Sequence, residues 1–280
     1  MSKTYGVFCT KGGVGKSTTA ANLGAILADM HQKVLLIDGD PQQSLSRWYP
    51  LSKTAPFGLT QLYKSASAEG CISSTVIDGL DIVLNDDPSK DPAIATFLRE
   101  SFYNSFNLKK AIENLGDQYD YVIIDTQGSK GIIQETVLIA SDVVLSPVQP
   151  NGLDAREFIN GTLASYNQLI PKPGYPNMTG RVAPPPLRVL INMADRTTMT
   201  EGVVKQLRKR FDAEADHHIT VLNTQIPDLK SYKEAFSAQS PVHRYERHRG
   251  GPTLSALQIM KKLVHELEPK LIDVSPSWKK

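Results

Sequence analysis

One short run near the amino end constrains the fold more than any other part of the chain. It reads Thr10-Lys11-Gly12-Gly13-Val14-Gly15-Lys16-Ser17-Thr18-Thr19 and lies between an apolar stretch and a helical pattern. A phosphate-gripping loop asks for Gly, four residues and then Gly-Lys-Ser/Thr. Gly15-Lys16-Ser17 satisfies the end of that pattern, while Thr10 stands at the first glycine position. Glycines let the backbone curl so that successive N–H groups point at phosphate oxygens. The helix that follows adds the positive end of its dipole. Lys11, Gly12, Gly13, Val14, Gly15, Lys16, Ser17 and Thr18 are therefore the expected nucleotide-binding residues. Lys16 is placed to neutralise the outer phosphates and the Ser17 hydroxyl to ligate Mg²⁺.

Such a loop sits at the carboxyl ends of parallel strands, and the rest of the chain supplies them. Candidate strands are 5–9, 34–38, 80–84, 121–125, 142–148, 187–192 and 219–222. Several are almost unbroken Val, Ile and Leu, as expected of strands covered on both faces. Leu23, Ile26, Leu27 and Met30 keep helical spacing between two of them, as do Val204, Leu207 and Phe211. Strand and helix in alternation predict an α/β fold: a doubly wound, mostly parallel sheet flanked by helices. The chain of 280 residues, 40% hydrophobic and 21% charged, is expected to form a single P-loop domain over 1–280. A proline-rich surface loop is expected at about 171–186, because a core strand resumes at Leu187.

Two cysteines, Cys9 and Cys71, exclude a disulfide scaffold and match no metal-ligand spacing, which favours a reducing, cytoplasmic setting. The strand-like start, Met1 to Phe8, leaves no room for a signal peptide, and no apolar stretch approaches the ~20 residues of a membrane span.

Acidic residues close two strands. Val34-Leu-Leu-Ile-Asp38-Gly-Asp40-Pro41-Gln42 puts carboxylates at the strand end that faces the ligand crevice. An acid there can orient water for in-line attack on a γ-phosphate, or it can simply cap a turn before proline. Asp120-Tyr-Val-Ile-Ile-Asp125 is an apolar strand ending in an acid of the Walker B form, which places Asp125 near Mg²⁺.

With Lys11 before Gly12-Gly13, these motifs resemble the deviant Walker A ATPases, the group of ParA-type DNA partition proteins and MinD-type division regulators. The resemblance runs from residue 4 to about 268, with the motifs in family order. It implies that Lys11, with Lys16 and Asp40, is catalytic. Lys11 would act as a signature lysine reaching the partner's ATP in a homodimer, Asp40 would position water, and Asp38 would lie near Mg²⁺ with Ser17 and Asp125. The resemblance also implies that backbone around Pro227, in Ile226-Pro227-Asp228, brackets the adenine. One departure stands out: relatives continue Asp-x-Pro-Pro where this chain has Asp125-Thr126-Gln127-Gly128.

The net charge of +2 hides an asymmetry, with +6 in residues 181–280 and −4 in the first 180. A basic carboxyl-terminal part is either ordinary solvated surface or the footprint of a polyanion. By resemblance, ATP-bound dimers coat DNA without sequence preference and are released by a ParB-type partner. Candidates are Lys205, Arg208, Lys209, Arg210, Lys230, Lys233, Arg244, Arg247 and Arg249. The expectation is a cytoplasmic, nucleoid-associated ATPase of plasmid or chromosome partition, slow until stimulated. Two alternatives are a MinD-like membrane-cycling regulator and a relative that positions other cargo or assists conjugative transfer. The end of the chain does not favour stable membrane association. Leu254, Leu257, Met260 and Val264 read as a helix docked on the core, and Glu266, Glu268, Pro269 and Pro276 interrupt a basic amphipathic anchor.

Overall fold

The computed structural model describes residues 1–87, 93–168, 184–212 and 218–278. Among them are nine strands: β1 (Lys3–Val7), β2 (Val34–Gly39), β3 (Leu51–Lys53), β4 (Ile72–Thr75), β5 (Leu80–Val83), β6 (Tyr121–Thr126), β7 (Val143–Val148), β8 (Leu187–Ala194) and β9 (Ile219–Pro227). They form one sheet in the order β3-β4-β5-β2-β6-β1-β7-β8-β9. The run from β5 to β9 is parallel, and β4 pairs antiparallel with both β5 and β3.

The unbroken apolar runs exist because helices cover both faces of this sheet. In β2, Val34 and Leu36 join the core under the helix α1 (Lys16–Asp29), while Leu35 and Ile37 join the core on the opposite face. Tyr121 and Ile123 of β6 go with the first set, and Val122 and Ile124 with the second. Beyond the sheet centre, Val144 and Val189 pack under Val204, Leu207 and Phe211 of the helix Thr198–Asp212.

Three expectations change. The first strand begins and ends two residues earlier than predicted, so Phe8 and Cys9 already belong to the turn into the phosphate loop. The edge strand β3 carries Ser52 and Lys53, and β4 beside it carries Ser73 and Ser74, so no apolar period announces either. On the last long helix, Ala256–Leu267, the core-facing residues are Ile259, Met260, Leu263, Val264 and Leu267, whereas Leu254 and Leu257 are only partly buried. That apolar face is packed on α1 and β9.

The expected proline-rich loop lies outside the described residues over 171–183. Its end, Pro184–Pro186, leads directly into β8: the Tyr166 hydroxyl donates to the Pro185 carbonyl at 2.7 Å, and the Val144 N–H to that of Pro186 at 2.9 Å. Among the described residues no helix is long and apolar enough to cross a membrane.

Candidate nucleotide-binding and hydrolysis site

β1 runs between β6 and β7, and the glycine-rich loop leaves its carboxyl end at the centre of the sheet. What makes this loop a cradle is the fate of its carbonyls. Lys16 Nζ donates to the Lys11 carbonyl at 2.9 Å, Gln149 Nε2 to that of Gly13 at 3.1 Å, and Asn192 Nδ2 to that of Val14 at 2.7 Å. The Gly15 carbonyl accepts from the N–H and hydroxyl of Thr19. With these oxygens turned into the protein, the amide N–H groups are left for an anion. Gly15 has φ +89°, and a Cβ added there would lie 2.3 Å from Asn192 Nδ2, so glycine is required for both conformation and space.

Thr10 at the first glycine position also has a structural reason. Its hydroxyl lies 3.2 Å from that of Thr162, which also accepts the Thr10 N–H at 3.1 Å. The loop is thereby fastened to the wide π-type turn Phe158–Leu163. Val14, expected among the nucleotide contacts, has its side chain in the core at 1% exposure and offers only its backbone N–H.

The loop forms one wall of a cavity of about 700 Å³. Gly12, Gly13, Gly15, Lys16, Ser17 and Thr18 line it on this side. Asn192, Met193, Ile226, Pro227, Trp48, Tyr232 and Phe236 line it as well. Pro227 thus lines the same cavity as the phosphate loop. The Trp48 and Phe236 rings meet at 4.7 Å.

Asp38 and Asp125 are direct partners across β2 and β6, which brings two carboxylates together at the crevice. Both are fully buried. Asp38, expected beside the metal, has another task in this conformation: its two oxygens accept the N–H groups of Asp40 at 3.0 Å and Ser46 at 2.7 Å, which shapes the loop carrying Asp40. Asp125 accepts from the Thr126 N–H with one oxygen, while the other is buried without a partner. Burial first, and then the Asp38 carboxylate, push the Asp125 pKa up to about 8, against the pull of the Ser17 hydroxyl and Lys16 ammonium. An orphaned buried carboxylate oxygen beside a serine hydroxyl offers two oxygen ligands that fit Mg²⁺. Among the described residues no group of three or more His, Cys, Asp or Glu could hold a metal, so the remaining ligands have to come from phosphate or water. Asp40 lines the cavity, with one oxygen capping the Gln42 N–H at 2.9 Å.

The raised pKa makes a prediction for the nucleotide-free protein. Asp125 holds a proton that the unfolded chain gives up near pH 4, so its contribution to stability is complete below that pH and is lost as pH rises through about 8. Asp125→Asn should remove that loss, raising the melting temperature at pH 8 by roughly 3–6 °C, for a gain of about 1–2 kcal/mol in a chain of this size. Thermal melts of both proteins from pH 5 to 8 check the sign.

Lys11 does not line its own cavity. Its ammonium turns outward to Asp154, a 4% exposed residue in the helix Gly152–Glu157, and the Lys11 side chain stays 37% exposed. Asn151 caps that helix by accepting the Asp154 N–H at 2.9 Å.

The basic candidates separate into groups. Lys205, Lys209 and Arg210 are exposed along the helix Thr198–Asp212, and Arg208 beside them donates to Asn223 Oδ1 and the Leu222 carbonyl. Lys230 is exposed, and Lys233 lines the nucleotide cavity. Arg244 forms a bidentate pair with buried Asp29, which also holds His243. Arg247 lies over the Trp278 ring at 4.6 Å, and Arg249 pairs with Glu246. Arg156, not anticipated from sequence, lines a groove together with Arg210. Gln149, Asn192, Asp154 and Thr162 also went unnoticed; the position of the first two just after or within a parallel strand near its carboxyl end was the available signal.

A phosphate cradle at the carboxyl edge of a parallel sheet, with two acids from the neighbouring strands, defines a P-loop nucleotide-binding protein with a second, outward-facing lysine. The AAA domain family model matches residues 2–164. The sporulation initiation inhibitor protein Soj of Bacillus subtilis is 31% identical over 264 residues, covering 89% of this chain and 94% of Soj. The chromosome-partitioning ATPase Soj of Treponema pallidum is 30% identical over 256 residues, or 90% and 93%. The ATP complex of Cyanothece McdA superposes with a TM-score of 0.75 at 19% identity over 99% of both chains. The cell division ATPase MinD of Pyrococcus furiosus gives 0.69 at 19%, over 96% of this chain and all of MinD. The chain belongs to the ParA/MinD family of ATPases.

Proposed function

We propose that this protein is a DNA-partition ATPase that dimerises around ATP·Mg²⁺, binds DNA in that state and is released when a ParB-type partner stimulates hydrolysis. One observation carries the reading: a preformed triphosphate cradle coexists with a second lysine, Lys11, that faces away from it. A lysine aimed out of its own site is available to a second copy, where it can do the work of an arginine finger.

Within the site, the loop N–H groups and Lys16 grip the phosphates and Asp40 orients the attacking water. Asn192, Pro227 and their neighbours take the base. Ser17 and Asp125 would hold Mg²⁺, which supplies charge neutralisation at the outer phosphates. Asp38 acts through Asp40 by holding its loop. Slow turnover without a partner follows from needing two copies to complete one site. Of the basic residues, Lys205, Lys209 and Arg210 are the foremost candidates for DNA, since their charges face solvent along one helix. The protein is then expected in the cytoplasm, on the nucleoid and not stably on membrane.

DNA binding measured with ATP, with ADP and without nucleotide over a salt series tests this. ATP-dependent, sequence-blind binding should weaken by about 10³-fold or more between 50 and 200 mM salt if six or more phosphates are neutralised. Pelleting with anionic vesicles in the absence of DNA binding would overturn the reading in favour of membrane cycling.

A further inference from the structure

Where the family resemblance leads to the expectation of Asp-x-Pro-Pro, this chain places a carboxamide at Gln127 and a glycine at Gly128. The geometry shows what the exchange permits. Thr126 ends β6 with its hydroxyl donated to the Val7 carbonyl at 2.8 Å, which fixes where the following residues start. Gly128 then lies directly on the phosphate loop: a Cβ added to it would sit 2.6 Å from Gly12 N and 2.8 Å from the Lys11 carbonyl carbon. No side chain fits that approach without displacing backbone. The contact holds Gln127 at the mouth of the cradle, where it lines the cavity with Gly12, Lys16, Ser17 and Asp40. The amides of Gln149 and Asn192 are committed to loop carbonyls, whereas the Gln127 carboxamide has no hydrogen-bond partner among the described residues. A proline in its place could neither donate nor accept.

We propose that Gln127 is a catalytic residue of ATP hydrolysis in this chain, holding the attacking water together with Asp40. The proposal rests on the ATPase reading above. Its carboxamide oxygen accepts one O–H of the water and its NH₂ donates to a γ-phosphate oxygen. As the water oxygen bonds to the γ-phosphorus, the bond from that phosphorus to the β–γ bridging oxygen breaks, and its electron pair leaves with ADP. The water's other proton passes to the Asp40 carboxylate and then to solvent, leaving ADP and inorganic phosphate. An amide that both accepts from water and donates to the transferring group is the same physical device that P-loop GTPases use in orienting water. Here, too, it is supplied by the chain's own loop, after the strand that carries Asp125.

The test separates binding from chemistry. ATP·Mg²⁺ affinity by calorimetry and single-turnover hydrolysis are measured for the parent, Gln127→Ala and the near-isosteric Gln127→Glu, with melting curves to confirm folding. The expected result is affinity within about twofold of the parent and hydrolysis about 10²-fold slower in both variants, the loss typical of one transition-state hydrogen bond. If Gln127→Ala binds ATP normally and hydrolyses within twofold of the parent, the proposal fails and the ATPase reading stands. Loss of ATP binding in the variants alone would make Gln127 a ground-state contact, which also overturns it. A parent that neither binds nor hydrolyses ATP would sink the underlying reading instead.

Discussion

Asp40→Ala should cut hydrolysis by about 10²–10⁴-fold while leaving ATP binding nearly intact, the range expected when a positioned acid–base group is removed. The division follows from the geometry. Grip on the phosphates comes from loop N–H groups and Lys16, none of which needs the Asp40 carboxylate. Asp40 does cap the Gln42 N–H, so alanine also loosens its own loop. Asp40→Asn keeps an acceptor for that N–H and removes only the charge and basicity; it should show the same loss of turnover. Phosphate release under single-turnover conditions, beside calorimetric ATP affinity, checks both variants. Turnover equal to the parent's would take Asp40 out of the chemistry.

Lys11 should be as consequential, but only in the assembled state. If it completes the partner's site, Lys11→Ala lowers turnover by about 10³-fold, the lower end of the effect of a cation supplied in trans. It should leave the monomer's affinity for ATP unchanged, because the Lys11 side chain does not line its own cavity. The pairing with Asp154 adds an opposite variant. To reach another subunit, Lys11 has to leave a carboxylate that is almost wholly buried. Asp154→Asn weakens that hold and should favour ATP-dependent dimers at lower protein concentration. The double variant Lys11→Ala/Asp154→Asn separates loss of the lysine from the strain of a stranded carboxylate. Light scattering with ATP and with ADP measures the dimer, and turnover against protein concentration measures the reaction. A normal ATP-induced dimer with full activity from Lys11→Ala would remove the in-trans role.

The central strands and the cradle were legible in the sequence for the same reason: each demands a rare local pattern. A strand covered on both faces has to be apolar at every position, as β2 and β6 are, and a phosphate loop has to carry glycine where a Cβ would collide, as at Gly15. The edge strand β3 and its neighbour β4 escaped because both are short and carry serine where the central strands carry apolar residues. Residues whose role depends on partners distant in the chain were not visible either. Nothing near Arg244 in sequence announces Asp29, 215 positions away, as its counter-ion, and nothing near Lys11 announces Asp154. The family resemblance puts Asp38 near the metal, and nothing in that motif announces that its oxygens also accept the N–H groups of Asp40 and Ser46. Gln149 and Asn192 act on the loop's carbonyls rather than on a ligand, a supporting task with no motif of its own.

The helix α1 starts at Lys16 in the cradle and ends at Asp29, 14 residues or about 20 Å away. At that far end Asp29 holds His243 and Arg244, its carbonyl accepts the Ser277 N–H at 2.8 Å, and Trp278 lies edge-on to His243. A single stiff rod therefore ties the triphosphate grip to the last described residues of the protein. The charge cluster that fastens the carboxyl-terminal segment and the loop that carries Lys16 are thus opposite ends of one helix.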